Sequence, residues 1–364
     1  MSVDKNSSRS INVDLIRVVA MLMVIVMHTI LNFTLRIDFF GTKLWFLFEP
    51  IVAISKTCVL LFFMLSGYLV INKNRSIQQN WQKTRRRLVI PLVFFSTCTI
   101  GYFFYQFIKS GQTDLLLFLQ NQLVRVTNFP SSPLWFLGVL VIFYLLNPLW
   151  QTIFNPSNQP TTARYLTVLA LVFSVSAQII QFPSLKAGSF FTSFTGWLGY
   201  IFFYFYGGLV RNNWIQFKRK KLNYGLVVLG LLGTVLGDWL TIFAQQHNFS
   251  FTWTGYTNYL SLPVIMMAVG IFNLLIEAKL EKLKTLMPHA TNILTWLAGL
   301  SFGIYLIHTF VISFFTDIIG FDFNNFKINV YLYNLLNFSL VLGISLIITW
   351  IIKKIPRLRI VIGG

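Results

Sequence analysis

Acidic residues are scarce in this chain: ten Asp plus Glu in 364 residues, against 29 Lys plus Arg, a formal net charge of +19. Charged residues of all kinds make up only 11%, where a soluble domain carries about 25%. That is too little charge to cover a water-soluble fold of this length, and the soluble globular class is excluded. Cysteine is nearly missing. Cys58 and Cys98 both lie in apolar segments, so no disulfide framework is encoded. Absent too are an HExxH helix, a Walker loop, a GxGxxG turn and any cluster at metal-ligand spacing, so neither a metal nor a tightly bound cofactor is expected. Ser66-Gly67 has no nucleophile elbow around it.

Apolar residues are what the chain has in quantity: 55% hydrophobic, with 38 Phe and a mean hydropathy of +0.68. A membrane span needs about 20 mostly apolar residues, and ten segments meet or approach that length. They fall near 11–33, 45–72, 88–108, 133–154, 165–182, 191–210, 222–244, 256–276, 292–316 and 329–352. The expected fold is an all-α polytopic membrane protein of about ten transmembrane helices, with a tail at 1–10, a transmembrane domain over 11–352 and a second tail at 353–364. The first segment follows Lys5 and Arg9 as a signal peptide would, but it is too long for one, contains charges and lacks a small-residue cleavage site. With the N-terminus cytoplasmic, the inner segments hold 21 of the 29 Lys and Arg and the outer loops six. The expected location is the plasma membrane, and that asymmetry places both termini in the cytoplasm. It also assigns the positive charge to the lipid bilayer and not to nucleic acid. Oligomeric state is not encoded in any feature of the chain. Gly207, Gly208 and the Gly230/Gly233/Gly237 series are expected to allow close helix packing.

Asp14, Arg17 and His28 interrupt the first span. At 100° per residue they share a stripe about 60° wide, and Arg17 and His28 are about 16 Å apart along the axis. Ionisable groups at that depth are costly, so they point to function; the alternative is that Asp14 and Arg17 only pair at the rim. Histidine can take and return a proton near neutral pH, as general-base chemistry on a hydroxyl requires. Glu49, Lys56, Asp238, His308 and Asp317 lie in the outer halves of their spans, as acceptor-side candidates or as interhelical pairs. Trp135 and Trp150 mark the ends of the fourth span, as belt residues or ligand-stacking groups. Lys83, Arg85, Arg86 and Arg87 immediately precede the third span, where a basic run either anchors lipid or holds phosphates.

Five blocks carry a resemblance. In NVDLIRVVAMLMVIVMH, an Asp-x-x-Arg is followed eleven residues after the Arg by His28. Then come CVLLFFMLSGYL (Cys58 to Leu69), KTRRRLVIP (Lys83 to Pro91), PLWFLGVLVIFYLLNP (Pro133 to Pro148) and SFGIYLIH (Ser301 to His308). In this order they resemble the acyltransferase-3 family, integral membrane enzymes that modify cell-surface sugars. The resemblance implies an acyl-CoA co-substrate, acetyl-CoA first among them, entering from the cytoplasm, and a glycan or lipid-linked sugar hydroxyl presented outside. It implies that His28 is catalytic, that Arg17, with Asp14, supports the donor or the reacting group, and that Arg85, Arg86 and Arg87 hold the coenzyme's phosphates. The family spaces its arginines there, whereas this chain runs three together. Lys56, Glu49, Trp135, Tyr305 and His308 are the candidates for the acceptor. Members often carry an extra extracytoplasmic domain; ending directly after its last span, this chain is expected to stand alone. The competing reading is a transporter or flippase of a glycan precursor, which needs no acyl donor.

Overall fold

A computed structural model describes residues 10–30, 34, 37–111, 114–128, 134–180, 198–215, 219–248, 258–321 and 329–364. Of the expected elements, nearly all of the first tail, the linker 182–189, and residues 31–33, 133, 181–182, 191–197 and 256–257 of the spans lie outside the described residues. Every regular element among the described residues is helical. In chain order the first eight α-helices are α1 (Ile11–Thr29), α2 (Lys43–Ser55), α3 (Cys58–Val70), α4 (Ile77–Thr84), α5 (Ile90–Lys109), α6 (Leu115–Asn128), α7 (Leu134–Leu145) and α8 (Asn147–Ile153). They are followed by α9 (Thr161–Ile180), α10 (Ile201–Arg211), α11 (Lys220–Gln246), α12 (Leu262–Ile276), α13 (Glu281–Leu286), α14 (Pro288–Ala298), α15 (Ser301–Ser313) and α16 (Val330–Lys354).

Among the described residues, six stretches are long and apolar enough to cross a membrane: Ile11–Thr29, Lys43–Val70, Ile77–Lys109, Lys220–Gln246, Ser301–Ile319 and Val330–Lys354. They fall on the first, second, third, seventh, ninth and tenth expected segments. The fourth is two helices, α7 and α8, bent by 57°. Shorter apolar helices, Thr161–Ser176 and Leu262–Ile276, fall on the fifth and eighth. The chain is therefore a multi-pass helical membrane protein.

It divides into two compact units. The first comprises Met1–Lys73, Trp150–Ser301 and Val330–Phe338. Its centre is α1, which packs against α2, α3, α12 and α14 and buries twelve of its 19 residues. Without a hydrophobic force between helices in lipid, association depends on close backbone approach and on interhelical hydrogen bonds. Both are present. A methyl group on Gly67 would sit 1.8 Å from the Tyr204 carbonyl oxygen, and one on Gly207 would sit 1.9 Å from that of Met64, so α3 and α10 touch through their backbones. Gly230 does the same for α11 and α12, 2.5 Å from the Pro263 oxygen. Tyr206 Oη donates to Asn273 Oδ1 at 2.9 Å, and Asn273 Nδ2 donates to Asn223 Oδ1 at 3.2 Å. Asn12 Nδ2 donates to the carbonyls of Leu275 and Ile276 at 2.8 and 3.2 Å, covering orphan acceptors at the end of α12. Gly67→Ala must push α3 and α10 apart, and this overpacking is expected to cost about 1–3 kcal/mol or more. A fall in melting temperature of the detergent-purified variant, or loss of its monodisperse peak, checks this.

The second unit comprises Asn74–Leu149, Phe302–Asn329 and Ser339–Gly364. It opens with α4, started by a reciprocal capping box between Ser76 and Gln79 and tied to α7 by Asn80 Nδ2 donating to the Tyr144 carbonyl at 2.5 Å. The chain passes from α4 into α5 without leaving helix, through a π-helical turn, Arg85–Val89, in which the Ile90 N–H bonds the Arg85 carbonyl five residues back. Such turns recur at functional positions. A C-terminal 3-10 helix, Arg359–Ile362, packs on this turn and on α5. Gly363 follows it at φ 77°, with the Phe302 ring and the Arg87 carbonyl 2.9 and 3.1 Å from where a side chain would begin. A second π-helical stretch, Phe314–Ile319, extends α15 and ends at Gly320, φ 72°. There the Tyr102 hydroxyl donates to Asp317 and accepts from Gln106 Nε2 at 2.8 Å.

Candidate functional site

In the first unit, continuous helix over Ile11–Thr29 carries Asp14, Arg17 and His28 on the one stripe their spacing predicts. Their environments differ along it. Asp14 is fully buried, and its carboxylate is 3.6 Å from the Arg17 guanidinium, whose side chain is 33% exposed. A carboxylate at such a position needs a nearby cation to be tolerated. His28, in the last turn, is exposed between the buried Met27 and Thr29. It is an exposed side chain on a helix that buries twelve of its 19 residues.

The same unit holds a second charged group. Lys56 occupies the break between α2 and α3, and its Nζ is 2.5 Å from Asp238 of α11. The two side chains are 10% and 12% exposed. Glu49, immediately before the Pro50 that interrupts α2's own hydrogen-bond ladder, is also buried and faces Asp238 and Lys56. The two acceptor candidates Glu49 and Lys56 are thus brought together, and with Asp238 they form one cluster of two carboxyl groups and one ammonium. Asp238 is the member that is not among the candidates for the acceptor. Its signal in the sequence is an acidic residue in the outer half of its span, the same half as Lys56 and of opposite sign.

In the second unit, Arg85, Arg86 and Arg87 are all exposed on the π-helical turn, and no acidic residue lies in residues 73–90 or 350–364. The neighbouring 3-10 helix adds Arg359 to this basic end, from a part of the chain far from the third span in sequence. Tyr305 and His308 are buried in the interior of the unit. His308 Nδ1 donates to the Tyr305 carbonyl at 2.5 Å, and Phe136 meets the Tyr305 ring edge-on at 5.7 Å. Trp135 is half-buried beside Phe136 on α7. No group of three or more metal-ligating side chains occurs among the described residues.

The model of one family, described as an acyltransferase domain, matches residues 10–354. No curated protein and no solved structure matches the chain.

Proposed function

The chain belongs to the acyltransferase-3 family, and from that premise we propose that it transfers a short acyl group, acetyl first among them, from acyl-CoA to a hydroxyl of a cell-surface glycan or lipid-linked sugar at the plasma membrane. The observation that carries this reading is His28, an exposed imidazole on an otherwise largely buried helix. Its ring nitrogen takes the hydroxyl proton while the oxygen attacks the thioester carbonyl. The tetrahedral intermediate collapses with cleavage of the carbon–sulfur bond, and the departing thiolate recovers the proton from the imidazolium. Ester and thiol are formed with no net proton change.

Arg17 cannot stabilise the oxyanion at His28, because eleven residues of helix separate them by about 16 Å. Its part is therefore with the donor's more distant anionic groups, and Asp14 is the positioning residue that holds its guanidinium. For Arg86 and Arg87 of the exposed arginine run we propose the donor's phosphates, which match the fork geometry of guanidinium groups. Arg86→Gln combined with Arg87→Gln is expected to raise KM for acyl-CoA roughly ten-fold for each charge-assisted hydrogen bond removed, with kcat little changed. Initial rates against donor concentration, at low and high salt, check this, since added salt shrinks the difference between wild type and variant.

Family membership supports transfer over export of a glycan precursor. Membrane vesicles containing the protein, given radiolabelled acetyl-CoA, are expected to release coenzyme A and label an acceptor, with His28→Ala inert. Saturable acetyl-CoA binding without any transfer to a hydroxyl would overturn the reading.

A further inference from the structure

The second unit carries a groove that the reaction above does not use. It runs along the π-helical turn and α5, lined by Arg85, Val89, Val93, Phe94 and Cys98 and by Val361 of the C-terminal 3-10 helix. Arg85, Val89 and Val93 recur at four-residue spacing, so the groove follows one helix face. Its volume is about 510 Å³, within the ~300–1,000 Å³ of small-ligand sites. Val93 and Phe94 are 59% and 42% exposed, so no described residue covers it. From Arg85 to Cys98 the helix rises about 20 Å, enough to cross the ~15 Å of hydrocarbon in one leaflet. The surface is thus apolar at membrane depth and ends at a guanidinium, with Arg359 in the adjoining element and no acidic residue in either segment.

We propose that this groove binds an anionic phospholipid, one acyl chain laid along α5 and the phosphate against Arg85. Charge complementarity selects the occupant. Basic residues at a helix end attract anionic headgroups, whereas a zwitterionic lipid brings its own ammonium group into the field of Arg85, Arg86 and Arg359. A short-chain acyl-CoA is a poor fit, since a two-carbon acyl group gains little from an apolar channel of this length. Arg85 therefore belongs to the lipid, and Arg86 and Arg87 remain for the donor. Lipid binding at this groove is independent of acyl transfer.

The test is photo-crosslinking of the purified full chain in nanodiscs, using phosphatidylglycerol or phosphatidylcholine with a diazirine in the acyl chain and mapping adducts by peptide mass spectrometry. Phosphatidylglycerol is expected to label residues 85–98 at least about five-fold more than phosphatidylcholine at equal mole fraction. Arg85→Gln should abolish that preference, Arg85→Lys should keep part of it, and excess acetyl-CoA should leave it intact. Equal labelling by the two lipids would reduce the groove to ordinary lipid-facing surface and overturn the proposal. Displacement by acetyl-CoA would overturn it too, by making the groove a donor site. If Arg85→Gln is not recovered folded, the headgroup comparison on the wild-type protein decides alone.

Discussion

His28→Ala is expected to lower acyl transfer by about 10²–10⁴-fold, the range that a positioned general base supplies, while leaving the melting temperature of the purified protein nearly unchanged. The second half of this expectation comes from the structure. His28 presents an exposed side chain, so its truncation removes less buried contact than the loss of a core side chain would. A plain structural histidine would show the reverse, a loss of stability with activity falling only as folded protein falls. His28→Gln keeps polarity and size but cannot carry the proton, and it should be as inactive as the alanine variant. Donor affinity should survive in both, because neither change touches the basic residues.

Lys56→Ala is expected to destabilise the protein by about 3–5 kcal/mol, because it leaves a buried carboxylate with no counter-charge. Lys56 and Asp238 are only 10% and 12% exposed, and Glu49 lies against them. The ammonium therefore holds two acidic side chains in the membrane-spanning part of the first unit. Replacing both members of the ion pair, Lys56→Met with Asp238→Leu, removes both charges and should recover much of the lost stability. Thermal unfolding in detergent measures this directly. Activity of the double variant then separates the two readings of Lys56. A folded and active double variant makes the cluster a structural clamp, and a folded but inactive one makes it part of acceptor binding.

Much of this was legible in the chain because hydropathy and helical spacing are local properties. The stripe of Asp14, Arg17 and His28 follows from three residue numbers and one angle. Six of the ten expected segments coincide with long apolar helices, since a run of apolar residues at membrane depth has little alternative to helix. Interruptions within those segments were less visible. The stretch 45–72 reads as one span, yet Lys56 and Thr57 break it where the ammonium turns to Asp238. The stretch 292–316 likewise divides at Gly299 and Leu300. At Lys56 the partner, Asp238, is far away in sequence, and no short window along the chain contains both sides. The π-helical turn under Arg85–Val89 is of the same kind, with the C-terminal helix packed upon it. Glycine shows the contrast best. Gly207 and Gly230 were expected to allow close packing and do so, while Gly67, within a block that carried the family resemblance, proves to be the other half of the Gly207 contact.

The central claim is that this membrane protein moves an acyl group onto a sugar hydroxyl by way of His28. Mass spectrometry of surface glycans, compared between cells with the intact gene, without it and with His28→Ala, tests that claim most directly. The account predicts one glycan whose mass is greater by a single acyl group in the first case only, with the group released by mild alkali as an ester must be. Identical glycans in all three, with the wild-type protein folded in the membrane and supplied with acyl-CoA, would contradict it.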